Sequence, residues 1–283
     1  MLVRSRDARR IRTRFAGQPH PSEASDVHGP TSPPPTVVLV HGAFTDASSW
    51  AEVIRLLRTD GLTVLAPANP LRGLTQDASY IRSVLRQIAA PVVLVGHGYG
   101  GAVITHAATD ADNTVALCYI AAFGLDAGEC VGDITNRFAP MPVTEANLTD
   151  ARPARFPAGL ESELYIRQER FRQVYAADLS PRVTDVLAVT QRPIAQSALS
   201  DTSGPPAWAS KPSWYAIAAA DQMLNPIAQR FMAQRMAATE HLLKASHAVV
   251  LSQPGAVAAM IQEAVEHATD RGDGNGGKRL GSR

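Results

Sequence analysis

Cysteine is scarce: Cys118 and Cys130 are the only two in 283 residues, and they form neither a CxxC spacing nor a paired pattern. That usage argues against a disulfide framework or a cysteine zinc site and makes a reducing, cytoplasmic setting the expectation. Charge of one sign is missing too. The formal net charge is +1, from 27 basic and 26 acidic residues, so neither nucleic acid nor an anionic membrane is an expected partner. Long apolar runs are absent. Thr36–Val40 and Pro91–Val95 are typical of those present, and both fall far short of the roughly 20 residues that cross a bilayer. What is there is an ordinary core: hydrophobic residues make up 45% of the chain, enough for one large α/β domain.

Both ends differ from the middle. Residues 1–35 carry Arg4, Arg6, Arg9, Arg10, Arg12 and Arg14, then a Pro/Ser/His-rich stretch closing on Pro33-Pro34-Pro35. No apolar segment follows the arginines, as a secretory signal requires. An unstructured extension is expected, with an Arg-rich organelle presequence as the alternative. Residues 269–283 are Gly-rich and charged and are likewise expected to be unstructured.

Residues 36–268 alternate short apolar runs with longer amphipathic ones, the pattern of a parallel sheet covered by helices on both faces. Strands are expected at Thr36–Val40, Thr63–Ala66, Pro91–Gly96 and Val115–Ala121, with helices near 49–59, 75–89 and 99–108 between and after them. From 125 to about 210 the alternation breaks into proline-rich, amphipathic sequence without a convincing strand; Glu163–Ala177 is the clearest helical stretch. This reads as a helical lid over the carboxyl edge of the sheet, where open α/β folds bind ligands. Strands near 213–219 and 240–243 and helices near 226–236 and 255–267 complete the pattern.

The segment VVLVGHGYGGAVI, Val92–Ile104, runs from a strand through a glycine-rich turn into a helix of small residues. This is the setting of the G-x-S-x-G nucleophile elbow, with Gly96 and Gly100 as the flanking glycines. The central position is Gly98, which has no side chain. Gly96, Gly98 and Gly101 also spell the dinucleotide fingerprint G-x-G-x-x-G. The next strand, however, ends Tyr119-Ile120-Ala121-Ala122-Phe123 without the carboxylate that would hold a ribose, so nucleotide binding is the weaker reading.

Three further features fit an acyl-transfer site. Val40-His41-Gly42-Ala43-Phe44 follows the first strand, where such a loop aims a backbone N–H at a developing oxyanion. The expected amides are those of Ala43 and Tyr99, with Phe44 facing the substrate. Asp221 follows the WYAIAA strand, and His247 precedes the last helix, giving the chain order nucleophile position, acid, histidine. Asp110 and Asp112 are weaker candidates for the acid. His41 is expected to organise the loop and His97 to pack. His106, His241 and His267 have no metal-ligand spacing, and Trp50, Trp208 and Trp214 read as packing residues.

The segments VVLVHGAFTDASSW, VVLVGHGYGGAVI, AVTQRP, PSWYAIAAADQMLNPIAQRFMAQRM and KASHAVVLSQPGAVA together resemble the α/β-hydrolase superfamily. The resemblance is to its branch of bacterial salicylate esterases, plant methylesterases and hydroxynitrile lyases, and it spans about residues 36–268. It implies an α/β-hydrolase fold with a mostly parallel central sheet and a helical lid, and a cofactor-free, metal-free site for a small apolar or aromatic ester-like compound. In that site Asp221 would be the acid, His247 the base, and Ala43 and Tyr99 the oxyanion amides. The nucleophile role finds no side chain at Gly98. Esterase chemistry through an acyl-enzyme is therefore expected to be impaired. A His-Asp dyad acting as a lyase or cyclase, or a protein that only binds a small molecule, are the alternatives.

Overall fold

The computed structural model of the chain describes residues 33–139, 141, 149–156 and 159–276. The extension expected over 1–35 lies outside them except for its last three residues, as does 277–283 of the expected tail.

The first half of the chain alternates as β1 (Thr36–Val40), α1 (Ala51–Thr59), β2 (Val64–Leu65), α2 (Leu74–Leu85), β3 (Val92–His97), α3 (Tyr99–Ala107) and β4 (Thr114–Ile120). An insertion follows, containing α4 (Val131–Arg137), β5 (Thr149–Phe156), β6 (Gly159–Ile166), α5 (Gln168–Tyr175), α6 (Pro181–Val189) and β7 (Ile194–Ala195). The alternation resumes with β8 (Ser213–Ala218), α7 (Pro226–Arg235), β9 (Thr239–Leu243), α8 (Val249–Ser252) and α9 (Pro254–Gly276). Six strands make the central sheet in the order β2-β1-β3-β4-β8-β9, and all of its neighbouring pairs are parallel.

Strand side chains point alternately to opposite faces, and both faces are buried here. Val37, Leu39, Val93, Val95 and Cys118 pack with Val53 and Leu57 of α1 and with Val257 and Ile261 of α9. Val38, Val40, Leu94 and Tyr119 pack on the other side with Ile81 and Leu85 of α2, Val103 of α3 and Met232 of α7. All five residues of β1 are buried. Each fully buried Val or Leu is worth roughly 1.5–3 kcal/mol, so the unbroken apolar runs fix these strands at the centre.

The insertion corrects one expectation. It is not wholly helical: β5, β6 and β7 form a three-stranded antiparallel sheet beside its helices. Pro153 on β5 hid it, because proline argues against a strand unless the strand lies at an edge, as β5 does. The stretch 163–177 read as one amphipathic helix. It divides instead at Arg167, which has ψ 130° and caps α5, with Leu164 and Ile166 buried from the strand side. A second correction concerns the end of the chain. The last helix continues past His267 to Gly276, because Ala268 still packs on the core and the Thr269 hydroxyl donates to the Val265 carbonyl at 2.9 Å.

No helix among the described residues is long and apolar enough to cross a membrane.

Candidate active site

Three parallel strands, β3, β8 and β9, end at one edge of the sheet and deliver the turn, the acid and the histidine. β3 runs into Gly98, which has φ 53° and ψ −122° before α3 begins. Those angles are disfavoured for any residue with a Cβ. Hydrogen bonds lock the turn. Gly98 N–H donates to the Ile120 carbonyl (3.2 Å), and the Gly98 carbonyl accepts from Gly101 (3.1 Å) and Phe123 (3.0 Å). Strand β3 and helix α3 touch so closely that a Cβ on Gly96 would lie 2.6 Å from the Gly100 carbonyl oxygen, and a Cβ on Gly100 would lie 2.5 Å from the carbonyl oxygen of Val40 at the end of β1. The G-x-G-x-G pattern thus has a steric cause at this turn.

Asp221 leaves β8 and His247 follows β9. His247 Nδ1 donates to Asp221 Oδ2 at 2.7 Å, with Asp221 fully buried and His247 6% exposed. The acid is held from every side. Its Oδ1 accepts from the Met223 and Leu224 amides (2.7 and 3.0 Å), and its Oδ2 also accepts from Gln229 Nε2 (2.8 Å). The imidazole's other nitrogen faces the turn: a Cβ at position 98 would lie 3.0 Å from His247 Nε2.

Sequence reasoning missed Gln229. It stands on the buried face of α7, between Ala228 and Met232, and its carboxamide also donates to the Leu224 carbonyl (2.8 Å) and accepts from the Ala218 amide (2.9 Å). A polar residue at an apolar helix position was the available signal. His97, expected only to pack, donates through Nε2 to the His247 carbonyl at 2.9 Å. Complete burial drives its pKa down to about 3, with the neighbouring His247 adding to the fall.

The loop after β1 forms the facing wall. His41 Nδ1 donates to the Gly42 carbonyl (2.9 Å), while its Nε2 accepts from the Asn69 amide (2.9 Å), an arrangement that fixes one neutral tautomer. Burial lowers its pKa to about 4. Phe44 takes the left-handed conformation at φ 63°, and its N–H donates to the Arg192 carbonyl of the insertion (3.0 Å). Among the described residues the Ala43 N–H finds no acceptor. Tyr99 opens α3, so its N–H has none within the helix. The Tyr99 hydroxyl turns away to Asp77 Oδ2 (2.9 Å), and burial first, then that carboxylate, raises its pKa.

These groups border one cavity of about 390 Å³, lined by Ala43, Phe44, Tyr99 and His247 and walled largely by apolar side chains such as Phe123, Ile134, Leu164 and Met223. The structure therefore brings together Gly98, Asp221, His247, Ala43, Tyr99 and Phe44. It leaves the others elsewhere. Asp110 is exposed and faces Arg82 at 3.7 Å, His106 accepts from the Gly204 amide, His241 faces Glu263, and His267 packs on Trp214. Among the described residues no group of three or more His, Cys, Asp or Glu side chains is placed to hold a metal ion.

A model of the alpha/beta hydrolase family matches residues 37–260. No curated protein matches the chain. Among solved structures, polyneuridine aldehyde esterase is similar at 18% identity and a TM-score of 0.71, over 82% of this chain and 99% of its own. A methylesterase, MES16 from Arabidopsis, is similar at 20% identity and a TM-score of 0.67, over 82% and 99%. A pyrethroid hydrolase from Sphingobium faniae JZ-2 is similar at 21% identity and 0.66, over 82% and 97%. At such identities the likeness is one of fold.

Proposed function

The chain belongs to the alpha/beta hydrolase family, and from that premise we propose that its cavity is an esterase-type site for a small apolar or aromatic ester-like compound, with the nucleophile position left bare at Gly98. The observation that carries the reading is the His247–Asp221 pair at 2.7 Å, whose free Nε2 points to the one backbone position, φ 53° at the head of α3, where a nucleophile would stand. The apolar lining of the cavity supports an apolar ligand, and structural neighbours named as esterases and a hydrolase support an ester-like one.

In this reading the ester carbonyl oxygen accepts from the Ala43 and Tyr99 amides, which stabilise negative charge as it develops. Asp221 holds His247 in the tautomer that leaves Nε2 as a proton acceptor and steadies the imidazolium once it forms. No oxygen at position 98 attacks the carbonyl, so no acyl-enzyme arises. His247 is left as a general base toward water or toward an acidic proton of the bound compound. Loss of a serine nucleophile costs on the order of a million-fold in kcat, while amides and binding retain about a thousand-fold over water.

The test compares the protein with Gly98→Ser on short p-nitrophenyl esters. The serine variant is expected to gain at least about a thousand-fold in kcat and to lose that gain when His247→Ala is added. Equal, near-blank rates from a folded serine variant would refute the esterase-type reading and turn attention to base-only chemistry or ligand binding.

A further inference from the structure

The loop that carries His247 is gripped by the insertion. Ser246 and Ala248, the residues on either side of His247, do not bond to the sheet through their N–H groups. Ser246 N–H donates to Asp178 Oδ2 at 2.9 Å, and its hydroxyl donates to Asp178 Oδ1 at 2.5 Å. Ala248 N–H donates to the carbonyl of Tyr175 at 2.9 Å. Tyr175 is the last residue of α5, and its ring meets the His247 imidazole edge-on, with centroids 5.1 Å apart and planes at 70°. Ser246 and Tyr175 are both 2% exposed, whereas Asp178 stands at the surface, so the Ser246 bonds run from a buried donor residue to an acceptor at the protein's edge.

Two further contacts complete the pattern. The His247 carbonyl accepts from His97 Nε2, and its side chain donates to Asp221. The sheet thus holds His247 itself, while residues 175–178 of the insertion hold both of its neighbours. Asp178 does not border the cavity. Partial burial would raise the pKa of its carboxylate, but the two Ser246 bonds, with the Ser252 hydroxyl adding to them, hold it below the ordinary range, and it reaches the site through the residues that flank His247. A carboxylate is the strongest neutral-pH acceptor available for two donors from one residue.

We propose that Asp178 is a positioning residue that sets the pose of His247 by clamping Ser246, so that the seating of the insertion governs the His247–Asp221 hydrogen bond. The proposal rests on the reading of His247 as the base of the site. Because Phe44 N–H donates to the Arg192 carbonyl, the same insertion also holds the wall that carries the Ala43 amide. Base and oxyanion wall share one frame.

The experiment follows the Nδ1–H proton of His247 by NMR in the full-length protein labelled with ¹⁵N-histidine, assigned by its loss in His247→Ala. In Asp178→Ala this proton is expected to exchange with solvent at least about tenfold faster than in the parent, with the remaining spectrum retained. Asp178→Asn, which keeps one acceptor oxygen, is expected to restore part of the protection. Unchanged exchange in a folded Asp178→Ala overturns the proposal. Should that variant not fold, Ser246→Ala removes the hydroxyl's bond to Asp178 Oδ1 and its longer contacts to the Tyr175 carbonyl and the Ala248 amide, and leaves the Ser246 N–H on Asp178. A smaller rise in exchange supports the clamp there, and no rise refutes it. This readout needs no turnover: a silent ester assay with a responsive His247 proton would sink the esterase reading and leave the positioning role standing.

Discussion

Removing Gln229 tests how the acid is held. Its carboxamide is fully buried and makes three bonds, to Asp221 Oδ2, the Leu224 carbonyl and the Ala218 amide, at 2.8, 2.8 and 2.9 Å. Gln229→Leu keeps the bulk and deletes all three. A bond to a carboxylate is worth roughly 1.5–3 kcal/mol, and each buried backbone group left unpaired costs about 1–3 kcal/mol, so a loss on the order of 4–6 kcal/mol is expected. That is a large share of the 5–15 kcal/mol typical of a folded domain. Urea unfolding should show a much lower midpoint with an unchanged slope. Gln229→Glu sharpens the test. It sets a second carboxyl 2.8 Å from Asp221 Oδ2, and like charges so close raise the pKa of one of the pair. A raised folded pKa gives stability that is fully present below the unfolded value near 4.3 and is lost as pH rises through the folded value. The penalty of Gln229→Glu against the parent should therefore be small near pH 4 and grow toward pH 7. A Gln229→Leu variant within about 1 kcal/mol of the parent, or a Gln229→Glu penalty independent of pH, would refute the account of how Asp221 is held.

Two other outcomes follow from the buried groups of the site. Gly98→Ala puts a Cβ at φ 53°, 3.0 Å from His247 Nε2, and should cost about 1–3 kcal/mol, read as a fall in Tm; an unchanged Tm would contradict the strained turn. Acid should weaken the fold well before its carboxylates are protonated, because His41 and His97 have pKa values lowered from 6.5 to about 4 and about 3. Their stabilising effect is whole above pH 6.5 and fades below it, by roughly 2 kcal/mol each at pH 5. The low-pKa carboxylates Asp46 and Asp178 fade only below about pH 4. Equal urea midpoints at pH 7 and pH 5 would show that the two histidines are not held neutral.

Much of this architecture was legible because burial on both sheet faces leaves an unmistakable trace. TVVLV and PVVLVG are apolar throughout and bounded by turn residues, so β1 and β3 could be placed to within a residue of their observed limits. Gly98, Asp221 and His247 could be named because each sits just beyond a strand end, a relation that survives in linear order. The insertion was less readable. β5 and β6 carry Pro153, Glu161 and Glu163 and pair with each other across a hairpin, so neither is forced to be apolar on both sides. Gln229 and Asp178 escaped notice for a different reason. Their partners are made by folding: Asp178 meets Ser246 across 68 positions of sequence, and nothing near Asp178 in the chain announces it.

The partners of the bare turn at Gly98 have a wider implication. Every bond that holds it is a backbone bond, and the restraints on Asp221 and His247 run through Gln229, His97 and the insertion. No part of this scaffold leans on a side chain at position 98. Any Cβ at position 98 bears a backbone cost, but the bonds that hold Asp221 and His247 do not pass through that residue: in the proposed esterase-type reading, its identity would bear on the covalent step while its neighbours keep their partners.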